Sequence, residues 1–189
     1  IKCCFLVFLF FSVYGQDLSC LTGSSPVCDF GNGAFTLTIP VGSSISGKTI
    51  YAQSLTLVGT SAAVTFLDTT FIISDSLAMS GIRPSFQNVE IDGPTISLTD
   101  TSSNSFILMA NSNITYSDTL ILGYVFVSTT NTIFNGNTTG TLQLSAGDIN
   151  FIGNAFVGID TTIMNSIIDA AAESRGFSVD EYTWVMQDF

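Results

Sequence analysis

The sequence predicts an all-β fold, a single-stranded parallel β-solenoid with three-strand rungs of about 22 residues and a short C-terminal helix. Three observations predict it. First, Leu55, Leu77, Leu98, Leu120 and Leu142 follow one another at steps of 22, 21, 22 and 22 residues. Two positions on stand Leu57, Met79, Asp100, Leu122 and Leu144, apolar in all but one. Self-similarity at a fixed period is the mark of stacked repeats. Second, each unit adds two more short apolar pieces. The second pieces are Val64-Thr65-Phe66, Val89-Glu90-Ile91 and the runs 106–109, 124–127 and 149–152. The third pieces are Phe71-Ile72-Ile73, Thr95-Ile96-Ser97, Ile114-Thr115-Tyr116, Thr132-Ile133-Phe134 and Ala155-Phe156-Val157. Apolar residues at period two read as strand with one face buried. Third, Gly, Ser, Thr, Asn and Asp fill the gaps, as turns require for positive φ and local side-chain hydrogen bonds. An antiparallel sandwich would also show short strands at this spacing, but it gives no reason for every third strand to begin alike.

The elements follow in chain order. Residues 1–15 read as a signal peptide: Lys2, an apolar run from Cys3 to Phe11, then Val13 and Gly15 at the −3 and −1 positions before Gln16. The run falls short of the roughly 20 residues that a membrane span needs. Its removal takes Lys2, Cys3 and Cys4 away, moves the formal charge from −11 to −12, and leaves Cys20 and Cys28. An even pair in an oxidising compartment is expected to form a disulfide across the turn-rich loop between them. Residues 16–32 are therefore expected to be an N-terminal cap and disulfide loop, and 33–159 the solenoid, with a looser first coil over 33–54. From 160 the period becomes helical, with Ile163, Met164, Ile167, Ile168, Ala171 and Ala172 on one side. Asp160 or Thr161 is placed to cap its start, and Gly176 sits where it would stop. A helix over about 162–174 is expected to cover the last rung, and the tail to 189 to pack alongside.

Composition narrows the function. Four Lys+Arg stand against fifteen Asp+Glu, which leaves no basic face for tracking nucleic-acid phosphates. There is no histidine, so Ser-His-Asp and Cys-His catalysis and His-ligated zinc or haem are excluded. The motifs Asn113-Ile114-Thr115 and Asn137-Thr138-Thr139 make Asn113 and Asn137 candidate N-glycosylation positions.

The leucine ladder and triplet strands between about 33 and 157 resemble the right-handed parallel β-helix of pectin-lyase-like proteins. Within that superfold the pattern resembles repetitive secreted surface proteins and adhesin passengers more than the enzymes. The GGAI and FxxN motifs of polymorphic outer-membrane repeats are absent, so the resemblance is architectural and fixes no activity. Polysaccharide lyases of the superfold use an Asp cluster for Ca²⁺ and a basic proton acceptor. Here the expected solenoid holds only Lys48 and Arg83 as basic residues, the latter in Ile82-Arg83-Pro84, read as a turn. Asp75 and Asp118 share one slot two rungs apart, roughly 9–10 Å along the axis, too far to share one Ca²⁺ with ligands at about 2.3–2.6 Å. Asp68, Asp92, Asp100 and Asp148 fall elsewhere in the coil and read as turn residues. Thr-x-Thr motifs begin at 36, 99, 130 and 139, out of step with the rung, so they do not read as one aligned threonine rank.

The expected function is that of a secreted, acidic, non-catalytic solenoid, an extracellular or cell-surface structural and adhesive module. Its expected partners are glycans, other extracellular proteins or further copies of itself. No catalytic residue, cofactor or metal ligand is assigned. No nucleic-acid partner is expected, and no stable transmembrane span in the mature chain. A carbohydrate-active enzyme, lyase- or hydrolase-like, or a degenerate relative of one is the second reading, and an ice-binding protein the third.

Overall fold

Apolar residues alternate with Thr and Ser along most of the chain, and the alternation resolves into inward and outward side chains on three parallel sheets. The computed structural model describes residues 17–136, 140–145, 148–158, 178–180 and 183–184. Face A stacks β1 (Val27–Asp29), the starts of β4 (Thr49–Leu67) and β5 (Thr70–Gln87), then β6 (Glu90–Asp92), β9 (Asn113–Tyr116), β12 (Ile133–Gly136), β15 (Ala155–Val157) and β17 (Thr183–Trp184). Face B stacks β2 (Ala34–Thr38), the middles of β4 and β5, then β7 (Thr95–Thr99), β10 (Thr119–Gly123) and β13 (Thr141–Ser145). Face C stacks β3 (Ser44–Ser46), the ends of β4 and β5, then β8 (Phe106–Ala110), β11 (Phe126–Thr130), β14 (Asp148–Ile152) and β16 (Ser178–Asp180). Every pairing among the described strands is parallel, so the chain is a β-solenoid of about six turns with about 21 residues per turn.

The inward ladders hold it together. Cys28, Ile50, Phe71, Ile91, Ile114 and Phe134 line face A at 0% exposure. Leu55, Leu77, Ile96 and Leu120 line face B beside Leu57, Met79, Leu98 and Leu122. Ile45, Phe66, Phe86, Met109, Thr129 and Phe151 line face C. Burial of each large apolar side chain contributes roughly 1.5–3 kcal/mol.

Two readings of the sequence are corrected in detail. Leu98 pairs with Met79 and Leu122, while Ile96 pairs with Leu77 and Leu120. The ladder therefore has no polar member: Asp100 lies one residue past the strand, at the corner. The second piece of that turn is not Val89-Glu90-Ile91 but residues 82–87 at the end of β5; its third is Glu90–Asp92 on face A, and Thr95-Ile96-Ser97 belongs to face B, where it opens the next turn. Arg83 and Pro84 hid the alternation there. Pro84 is tolerated because its register partner is Val64 on one side only; β8 rejoins β5 from Ser85 onward.

The corner from face C to face A is the same in every turn. Ile45 precedes Ile50, Phe66 precedes Phe71, Phe86 precedes Ile91, Met109 precedes Ile114, Thr129 precedes Phe134 and Phe151 precedes Phe156, each by five residues. Two residues into it stand Gly47, Asp68, Asn88, Asn111, Asn131 and Gly153, all with φ between 47 and 63°. Asn and Asp reach this left-handed region more readily than other side chains. The next residue points inward in each turn: Lys48, Thr69, Val89, Ser112, Thr132 and Asn154 are all buried. Phenylalanines brace the corner across its bend, with ring centroids 5.6 Å apart for Phe66–Phe71 and 5.5 Å for Phe151–Phe156.

At the N-terminal end, α1 (Asp17–Thr22) and the Cys20–Cys28 disulfide, with Cα atoms 5.7 Å apart, sit over the first turn. Lys48 occupies the buried corner slot and turns its ammonium to the carbonyls of Gly23, at 2.6 Å, and Ser25. Its charge is met there by backbone oxygens of the disulfide loop. The expected C-terminal helix over about 162–174 lies outside the described residues.

Candidate binding surface

The three faces differ outside as they agree inside. Face B turns out Thr36, Thr38, Ser54, Thr56, Ser76, Ser80, Thr95, Ser97, Thr99 and Thr119, with Ala, Val, Ile, Gly and Gln between them. None of its described outward positions is charged. Face A turns out Asp29, Glu90 and Asp92, with Tyr51, Ile72 and Ile133 exposed among them. Face C turns out mostly hydroxyl and amide side chains, with Arg83 on β5, exposed Ile152 on β14, and an apolar group where β8 and β11 turn out Phe106, Leu108 and Phe126; Asp148 stands on the backbone register of Phe126. The Thr-x-Thr motifs scatter as the spacing implied: Thr36 and Thr38 lie on face B, Thr130 at the end of face C and Thr132 buried in the next corner.

Asp68, Asp75 and Asp118 are each engaged by a neighbouring turn. Ser54 Oγ donates to Asp75 at 2.6 Å, and Thr95 Oγ1 donates to Asp118 at 3.2 Å. The shared slot of Asp75 and Asp118 is thus a corner position at which each carboxylate reaches back to the previous turn. Asn88 Nδ2 donates to Asp68 Oδ1 at 3.0 Å, within the positive-φ series. Asp100 is 4% exposed at its side chain, accepts from the backbone N–H and Oγ of Ser102, and lies 3.7 Å from Arg83 Nε. Arg83 Nη2 donates to Asn104 Oδ1 at 2.6 Å. Arg83 is therefore a strand residue that braces the 100–105 loop, not a turn residue. Glu90 and Asp92 come out on the same side of β6 and are both exposed on open sheet. Among the described residues, no three of His, Cys, Asp and Glu gather in one place.

Asn113 begins β9, half-buried, with its N–H donating to Val89 at 2.9 Å and its Oδ1 buried without a hydrogen-bond partner. Asn137 lies outside the described residues. Tyr116 and Tyr124 are buried, and neither hydroxyl has a partner. Burial pushes the Tyr116 hydroxyl up to about 12. Burial first, and then the Asp100 carboxylate, push that of Tyr124 higher still.

Two features were not read from the sequence. The Gly/Asp/Asn series at the constant corner was legible as a Gly, Asp or Asn two places after each inward face-C residue. The outward apolar group on face C was signalled by unbroken apolar runs at 106–109 and 125–127, which a period-2 strand cannot bury whole. Neither a known protein family, nor a curated protein, nor a solved structure matches the chain. No helix among the described residues is long and apolar enough to cross a membrane.

Proposed function

We propose that the chain is a non-catalytic structural and adhesive module of the extracellular space or cell surface, which binds neutral glycan chains along face B. The observation that supports this reading is the uncharged, hydroxyl-bearing outer side of face B in a chain of formal charge −11. Parallel ranks at strand spacing of about 4.8 Å offer many equivalent weak contacts rather than one deep site. The competing carbohydrate-enzyme reading asks for carboxylates or an Arg–Asp pair converging in a groove. Arg83 and Asp100 do meet, but behind the 100–105 loop, where both are held by structural partners.

Binding to immobilised neutral polysaccharides tests the reading. The expected result is retention that added salt leaves unchanged and that Thr56→Lys with Ser97→Lys abolishes, the circular dichroism staying as in the parent. Release of new reducing or unsaturated ends, or retention that survives the double variant, overturns it. Ice binding is the third reading, favoured by the same hydroxyl ranks but interrupted by Val58, Ala78, Ile121 and Gln143; thermal hysteresis in the parent chain would replace the glycan reading with it.

A further inference from the structure

Inward residues of β8 and β11, Ile107 and Val127, already fill the core at 0% exposure. Their outward neighbours Phe106, Leu108, Val125 and Phe126 are not needed for it. Leu108 and Phe126 remain 37% exposed and Val125 42%. Phe126 is the register partner of Phe106, so the two rings leave the sheet from adjacent strands, about 4.8 Å apart. With Asn104 and Ser105 these four side chains line a recess of about 370 Å³.

The wall of the recess is fixed. Asn104 is held by Arg83, Ser105 Oγ accepts the Val125 N–H at 3.0 Å, and the Phe126 N–H donates to the Ser105 carbonyl at 3.1 Å. Among the described side chains, none that lines it is charged. We propose that this recess is a binding site for a small, neutral, largely apolar molecule, an aromatic ring or short alkyl group. Its size falls within the roughly 300–1,000 Å³ of small-molecule clefts. A stable protein interface needs roughly 800 Å² and 20–30 residues from each partner, and four apolar side chains do not supply that. The site is independent of the glycan reading, since it lies on a different face.

Titration of the full chain with the neutral fluorophore N-phenyl-1-naphthylamine tests it. The expected result is saturable, one-to-one enhancement of fluorescence. Phe126→Ser is expected to raise the dissociation constant at least about tenfold, and Phe106→Ser to do the same, each with unchanged circular dichroism. Leu108→Trp keeps the surface apolar but fills the recess, and is also expected to weaken binding. Tyr51→Ser, which removes an exposed ring from face A, is expected to leave it unchanged. Absence of saturable binding, tighter binding by Leu108→Trp, or no effect of either Phe variant overturns the proposal. So does concentration-dependent dimerisation lost in Phe126→Ser, which makes a second copy the occupant.

Discussion

The corner between faces C and A and the corner between faces B and C solve the same problem, turning the chain by one face, in opposite ways. At the first, five residues separate the inward ladders in every turn. At the second the separation is 8 from Leu37 to Ile45, 9 from Leu57 to Phe66, 7 from Met79 to Phe86, 11 from Leu98 to Met109 and 7 from Leu122 to Thr129. The constant corner has one backbone solution, a single residue at positive φ followed by a buried one, and it fixes the phase of faces C and A together. The variable corner absorbs the differences in turn length and throws out the 100–105 loop that walls the recess. Gly81 shows that it can also be tight: its φ is 63°, and a Cβ there would overlap the carbonyl oxygen of Gly59 one turn away. Regularity at one edge is what permits irregularity at the other.

The sharpest way to break this contrast is to lengthen each corner by one alanine. Between Asn111 and Ser112 the insertion shifts one turn of face A by a residue and reverses its inward and outward positions. A loss of at least about 4 kcal/mol, or loss of a cooperative transition, is expected in urea unfolding. The same insertion between Ser102 and Ser103 is expected to cost less than about 1 kcal/mol, since loop length is cheap. Equal costs would erase the distinction.

Next in size is the ring packing beside the constant corner. Phe134→Ala removes a fully buried ring 5.1 Å from Phe156 and 6.3 Å from Phe151, with an expected loss of about 3–5 kcal/mol. Val125→Ala, at the variable corner and 42% exposed, is expected to stay within about 0.5 kcal/mol of the parent.

Alkali reaches two buried hydroxyls on either side of face B. The Tyr116 hydroxyl is pushed up to about 12, above its unfolded value near 10. Its contribution is therefore fully present below pH 10 and lost as pH rises through 12, because the unfolded chain releases that proton first. A fall on the order of 2 kcal/mol by pH 12 is expected from this residue alone. Tyr124, also raised, adds to the same decline. Tyr116→Phe is expected to flatten the curve and to leave stability at pH 7 equal or slightly higher, since the hydroxyl has no partner to lose.

The smallest effect is the most local. Asn111 has φ of 50°. Asn111→Val is expected to cost about 1–2 kcal/mol for the left-handed conformation. Asn111→Gly, which adopts it freely but gives up the 3.4 Å bond from Asn131 Nδ2, is expected to lie within about 0.5 kcal/mol of the parent.

The stack was legible in the sequence because inward residues must repeat when turns lie over one another, and leucine marks one ladder with little interruption. Parallel pairing and the Cys20–Cys28 bond follow the reading from residue spacing. What went astray was local. A proline beside an arginine does not look like strand, so residues 82–87 escape a period-2 reading and Leu98 falls two residues out of register. Period-2 reading also weighs the side that faces the core, so Phe106 and Phe126 counted as core signal although they face out. The pairing of Asp100 with Arg83 joins residues of different turns across a corner of variable length, and spacing alone gives no measure of that separation.

The five-residue corner has a consequence for how such a chain changes over time. Because each turn joins the next through the same covalent geometry, a whole turn can be duplicated or deleted with its ends at that corner and leave both flanking turns with familiar neighbours. Rod length is thereby uncoupled from cross-section, and a gene for this architecture can gain or lose reach in single steps without redesigning its interior.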